Sequence, residues 1–150
     1  MKNKIRYAFY LFLPLICGSI VGFLTNDFID YNSLVKPPLA PPSILFPIMW
    51  SIIYILMGIS YFLFKKKYYD EDTSISYYVQ LIVNLLWTII FFVFKLRLLA
   101  IFWIILLDVL VMLLMINHKK YEKKSTYLLV PYLIWILFAT YLTIGIYFLN

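Results

Sequence analysis

The chain is poor in what water-facing chemistry needs. Cysteine occurs once, at Cys17, and histidine once, at His118. A lone cysteine excludes a disulfide within the chain and a thiolate cluster, and a lone histidine excludes a histidine metal site. No glycine loop of the kind that cradles phosphate is present, and no serine, histidine and acid set is placed to assemble a hydrolytic centre. Nothing calls for a resident cofactor. Charge is scarce as well: 13% of the 150 residues are Asp, Glu, Lys or Arg, about half the share in a soluble domain. The chain also lacks visible self-similarity, so it gives no sign of the duplicated halves common in secondary transporters.

What remains is apolar. Hydrophobic residues make up 65% of the chain and aromatic residues 21%, which defines an integral membrane protein. Residues 1–150 read as a single all-α domain with five apolar runs, at about 7–24, 46–64, 76–94, 98–116 and 125–149. Each approaches the roughly 20 residues that cross a hydrocarbon core as a helix. The first run follows Lys2, Lys4 and Arg6 and resembles a signal peptide, but no small-residue cleavage site follows and Ile16 is too large for lipoprotein processing before Cys17. It is read as the first span. With the N-terminus in the cytoplasm, that side holds Lys2, Lys4, Arg6, Lys65, Lys66, Lys67, Lys119, Lys120, Lys123 and Lys124, and only Lys36, Lys95 and Arg97 face outward. The basic residues thus predict an N-in orientation. The formal charge of +6 needs no nucleic acid, because these lysines sit where anionic lipid attracts them.

Between the first two runs lies KPPLAPPSILFPIMW, Lys36 to Trp50, with five of the seven prolines. Proline fixes its own φ and restricts the residue before it, so Pro37-Pro38 and Pro41-Pro42 hold the segment extended. Its apolar character fits either a lid over something or a stiff linker at the membrane surface.

Helical spacing assigns faces. Phe46, Trp50, Tyr54, Met57 and Tyr61 form one stripe, Gln80, Asn84, Trp87 and Phe91 a second, and Pro131, Trp135, Phe138, Ala139 and Leu142 a third. Such stripes serve helix packing or ligand contact. The amides of Gln80 and Asn84 are costly in hydrocarbon unless hydrogen-bonded, so they should face the interior and bond a neighbouring helix or a bound molecule. Aromatic walls with a few polar groups suit a flat hydrophobic ligand. Asp108 is the only carboxylate deep within a span and reads as a functional group or as a protonated acid bonded to a neighbour. His118 falls in a lysine-rich turn and reads as solvated. Gly18 and Gly22 form a GxxxG pair that admits a close backbone, within the bundle or between protomers.

KPPLAPP with Phe46, Trp50 and Tyr54, then Gln80-x-x-x-Asn84-x-x-Trp87 with Phe91-Phe92, then PYLIW (Pro131 to Trp135) and FATYL (Phe138 to Leu142), resembles the translocator protein family over essentially the whole chain. That family is also called TspO, the peripheral benzodiazepine receptor or the tryptophan-rich sensory protein. The resemblance implies a five-helix bundle, commonly a homodimer in a bacterial cell membrane, with a cavity roofed by the loop joining the first two helices. It implies binding of porphyrins such as protoporphyrin IX and of benzodiazepine-type ligands. On this chain the implied pocket falls on Pro41, Pro42, Trp50, Tyr54, Asn84, Trp87, Trp135, Phe138, Ala139 and Leu142; Phe91 joins it from the second inward stripe.

The chain departs from the family pattern at Leu39 and Ile44, where many members carry tryptophan, and at Thr143, where asparagine is usual. No basic residue follows Tyr141, so a C-terminal sterol-recognition pattern is missing. Three functions follow as expectations: a receptor or sensor for tetrapyrroles, a light- and oxygen-dependent porphyrin-degrading enzyme using Trp50 and Trp135, or a transporter of small amphiphiles with Asp108 as coupling group.

Overall fold

The computed structural model describes residues Met1–Asn150. Five long helices carry the chain: α1 Lys2–Thr25, α2 Leu45–Lys67, α3 Glu71–Thr88, α4 Arg97–Tyr121 and α5 Lys123–Leu149. A π turn, Ile89–Val93, extends α3 without interruption. The five apolar segments are 23 to 27 residues long, roughly 35–40 Å at helical rise and enough to cross a bilayer. The helices overrun the apolar runs at their ends. Lys2–Arg6, Lys65–Lys67 and His118–Tyr121 are too polar for hydrocarbon, yet lysine and arginine are good helix formers and the backbone continues to bond through them.

Two acidic side chains start helices. Asp70 accepts from the Thr73 backbone N–H at 2.8 Å and from its hydroxyl, capping α3. The Thr73 bonds hold the Asp70 carboxyl below the usual aspartate range. Glu122 accepts from Lys124 N–H at the start of α5 and pairs with Lys67 at 2.8 Å, and this bond to Lys67 holds its carboxyl below the ordinary value.

Neighbouring helices run in the order α1, α2, α5, α4, α3 and back to α1, closing a ring. The α1–α2 seam is tight because Gly58 has no side chain; a Cβ there would run into the Leu11 carbonyl. Inside the ring, Tyr61 of α2 and Tyr77 of α3 stack with centroids 3.8 Å apart, surrounded by Met57, Leu107, Val111, Leu129 and Ile136. Pro14 and Pro131 lie within α1 and α5, where each removes one backbone donor.

The α1–α2 connection is tied down at one end of the bundle. Two 3₁₀ turns, Asn26–Phe28 and Tyr31–Ser33, lead into the proline segment. Pro37 to Ala40 forms a tight turn, Ala40 N–H donating to the Pro37 carbonyl at 3.3 Å, with Leu39 at φ 67°. Proline at the second position and positive φ at the third are the marks of a type II turn, a place that favours glycine or asparagine over leucine. The segment packs along the last turns of α5: the Tyr141 hydroxyl donates to the Pro38 carbonyl at 2.6 Å and the Asn150 side chain brackets Val35 with two bonds. Gly145 makes room, since a Cβ there would stand 2.6 Å from Pro37. Asp30 completes the fastening by pairing with both oxygens to Arg97, at 2.8 and 3.0 Å.

Candidate functional site

A cavity of ≈660 Å³ lies between α1 and α2 near the end that carries the proline segment. That volume is in the range of small-molecule sites. The α2 wall carries Phe46, Trp50, Ser51 and Tyr54, with Trp50 stacked on Tyr54 at 5.6 Å. Trp87, Thr88 and Phe92 close it from the end of α3, and Ala139 from α5. The facing wall on α1 is built from small or slender residues, Gly18, Ser19, Gly22 and Thr25 among them. At the rim stand Ile29, Tyr31, Asn32, Ser43 and Ile44 of the connection. Tyr31 is buried, which raises its phenol pKa and keeps it a donor; its hydroxyl bonds the Pro41 carbonyl at 2.7 Å.

A buried polar chain sits directly behind the aromatic wall. The Tyr54 hydroxyl donates to Asn84 Oδ1 at 2.7 Å, Asn84 Nδ2 donates to the Tyr132 hydroxyl at 2.8 Å, and that hydroxyl donates to Gln80 Oε1 at 2.8 Å. The two amides expected to face the interior do so, and they bond α2 to α3 and α5. This chain fixes the tilt of Tyr54 and through stacking that of Trp50. Trp135 meets Trp50 edge-on at 6.4 Å and Phe46 at 5.9 Å. The indole N–H groups of Trp87 and Trp135 are buried and have no partner, unusual for donors that normally bond when buried.

Of the residues singled out from sequence, Trp50, Tyr54, Trp87 and Ala139 border the cavity. Asn84, Trp135, Phe138 and Leu142 do not border it; Asn84 and Trp135 touch the wall from behind, at Tyr54 and Trp50. Phe91 stacks on Trp87 at 5.1 Å and lies under the Arg97 guanidinium, 4.1 Å from its ring centre, so it buttresses the wall without facing the cavity. Pro41 and Pro42 do not border the cavity: Pro41 turns its carbonyl to Tyr31, and Pro42 is exposed. Pro131 departs from the third stripe and is exposed, because the buried face of α5 centres on Tyr132, Ile136, Ala139 and Thr143, leaving position 131 at its margin.

His118 is not solvated. It is fully buried, stacked on Phe64 at 5.0 Å, with Nδ1 against the hydroxyls of Ser60 and Ser125. Each serine hydroxyl also bonds the other's carbonyl at 2.7 Å, a clasp between α2 and α5. The reason is periodicity: α4 runs on to Tyr121, and 118 follows the inward positions Val111 and Leu114. Asp108 is buried and accepts from the Thr140 hydroxyl at 2.8 Å, away from the cavity. Sequence reasoning missed the α1 wall. Its only signal was the Gly18–Gly22 pair, and both glycines face the cavity: a Cβ on Gly18 would strike the Tyr54 ring, while Gly22 has open space before it.

Five helices long and apolar enough to cross a membrane make this an integral membrane protein, with an aromatic cavity lined by α1, α2, α3 and α5. The sequence profile of the TspO/MBR family matches residues 10–149, and the chain belongs to that family. It is 36% identical to the tryptophan-rich protein TspO of Archaeoglobus fulgidus, over 99% of both chains. It is 36% identical to the protein of that name from Chlorobaculum tepidum, over 87% of this chain and 89% of the relative. Protein CrtK of Rhodobacter capsulatus is 31% identical over 96% of this chain and 92% of its own length.

Proposed function

We propose that the protein binds flat hydrophobic tetrapyrroles of the protoporphyrin IX kind, and drug-like molecules of the benzodiazepine type, in the cavity between α1 and α2, with the α1–α2 connection as its lid. The observation that carries this reading is the cavity itself: ≈660 Å³, with Trp50, Tyr54 and Trp87 on one side and Gly18 and Gly22 on the other. The Tyr54 ring lies against Gly18, and the open space before Gly22 leaves room for a planar guest beside the aromatic wall. The unpartnered indole N–H groups of Trp87 and Trp135 supply donors that a small rearrangement would turn to a guest's acceptor. The homodimer that the resemblance implies would pack through a surface other than the Gly18–Gly22 pair. The N-terminus lies in the cytoplasm of a bacterial cell in this reading.

Titration with protoporphyrin IX in the dark, followed by tryptophan quenching, tests the proposal. Saturable quenching in the wild type, lost in the Trp50→Ala, Trp135→Ala double variant, is the expected result; unchanged affinity in the double variant would count against it. A second reading, light- and oxygen-dependent breakdown of the porphyrin, draws support from the edge contact of Trp50 and Trp135 at 6.4 Å, which sets one oxidisable ring on the cavity wall and a second directly behind it. Illumination that bleaches porphyrin no faster with protein than in empty detergent would remove it.

A further inference from the structure

The α1–α2 crevice holds a second concavity at the end away from the cavity. It measures ≈140 Å³ and is lined by Asn3, Arg6, Tyr7 and Tyr10 of α1 and by Lys65, Tyr68 and Tyr69 at and beyond the end of α2. That is below the roughly 300 Å³ where drug-sized sites begin, and it has room for a phosphate group with a few waters at about 30 Å³ each. Two cations share it. The ion pairs of the chain are Lys67–Glu122, Lys95–Asp30 and Arg97–Asp30, so neither Arg6 nor Lys65 has a carboxylate partner. The neighbouring Asp70 carboxylate is turned to Thr73. Lys65 is nonetheless held in place: Nζ donates to Ser74 Oγ at 2.9 Å and stands 4.6 Å from the Tyr69 ring centre, leaving further donors free. Two like charges around one concavity repel unless an anion lies between them.

We infer that this concavity is a binding site for the phosphate of an anionic phospholipid headgroup. A lipid fits better than a soluble phosphate because the concavity sits at the end of two membrane-spanning helices, the same helix ends that carry Lys2, Lys4 and Lys66. Basic pockets between spans take lipid head groups in this way. The inference does not depend on the nature of the ligand in the larger cavity.

Native mass spectrometry of the full chain, released from detergent with phosphatidylglycerol or phosphatidylcholine, tests it. The wild type should keep one phosphatidylglycerol in preference to phosphatidylcholine. Arg6→Gln with Lys65→Gln should weaken that binding at least about tenfold, and Lys2→Gln with Lys4→Gln, which removes the same charge, by no more than about twofold. Lys65→Arg beside wild-type Arg6 should retain it, which separates loss of charge from loss of fold. Equal losses in the two double variants would overturn the site in favour of diffuse attraction. Displacement of the lipid by millimolar inorganic phosphate would overturn the lipid assignment in favour of a soluble anion.

Discussion

At the scale of single residues, the site is organised by what stands behind the cavity wall. Asn84 touches no cavity surface, yet it accepts from Tyr54 and donates to Tyr132. Asn84→Leu should lower thermal stability by about 1–3 kcal/mol, the cost of leaving a buried hydroxyl unpartnered, and should weaken ligand binding as Tyr54 and Trp50 lose their fixed tilt; a calorimetric scan and a ligand titration of one sample check both. The inward placing of Gln80 and Asn84 was legible in the sequence because an amide in hydrocarbon has few alternatives. His118 was not legible. Its neighbours Lys119 and Lys120 mark a polar turn by composition, and the two serines that hold it come from α2 and from the start of α5. Diethylpyrocarbonate should therefore leave the histidine of the folded protein unmodified and react with it after denaturation, as read by absorbance.

At the scale of elements, helix starts outside the hydrocarbon respond to pH. The Asp70 carboxyl is held below its ordinary range by Thr73, so its cap favours the folded state above the unfolded pKa, roughly pH 4. That contribution is lost as pH falls through the lowered folded value. Helix content at the start of α3, followed by hydrogen exchange of Thr73 and Ser74, should fall as the pH drops below about 4, and Asp70→Asn, which keeps a capping oxygen without the titration, should flatten the response. The extent of the five helices was largely legible, since apolar length marks each crossing. The contribution of α1 to the cavity was hidden because Gly18, Ser19 and Gly22 carry no chemistry of their own and matter through the space they leave. The roles given to Pro41 and Pro42 shifted for a related reason: proline sets backbone direction, and the turn at Leu39 carries the segment along α5.

At the scale of the whole molecule, the ring order α1, α2, α5, α4, α3 puts the wide cavity and the small basic concavity at opposite ends of one α1–α2 crevice. Five spans place the termini on opposite faces of the membrane. In intact cells of the Cys17→Ala chain, a membrane-impermeant maleimide should label Asn150→Cys and should spare Lys2→Cys until the membrane is opened; the reverse pattern would invert the orientation. A planar ligand is expected in the open space between Gly22 and the aromatic wall of Trp50 and Trp87. Gly22→Leu fills that space while meeting no atom within 4 Å at its Cβ, so the fold should survive. A dark titration of wild type and Gly22→Leu with protoporphyrin IX is the most direct test. Saturable tryptophan quenching in the wild type, weakened at least about tenfold in Gly22→Leu, is the predicted result. Equal saturable quenching in the two proteins would put the ligand elsewhere and contradict the account.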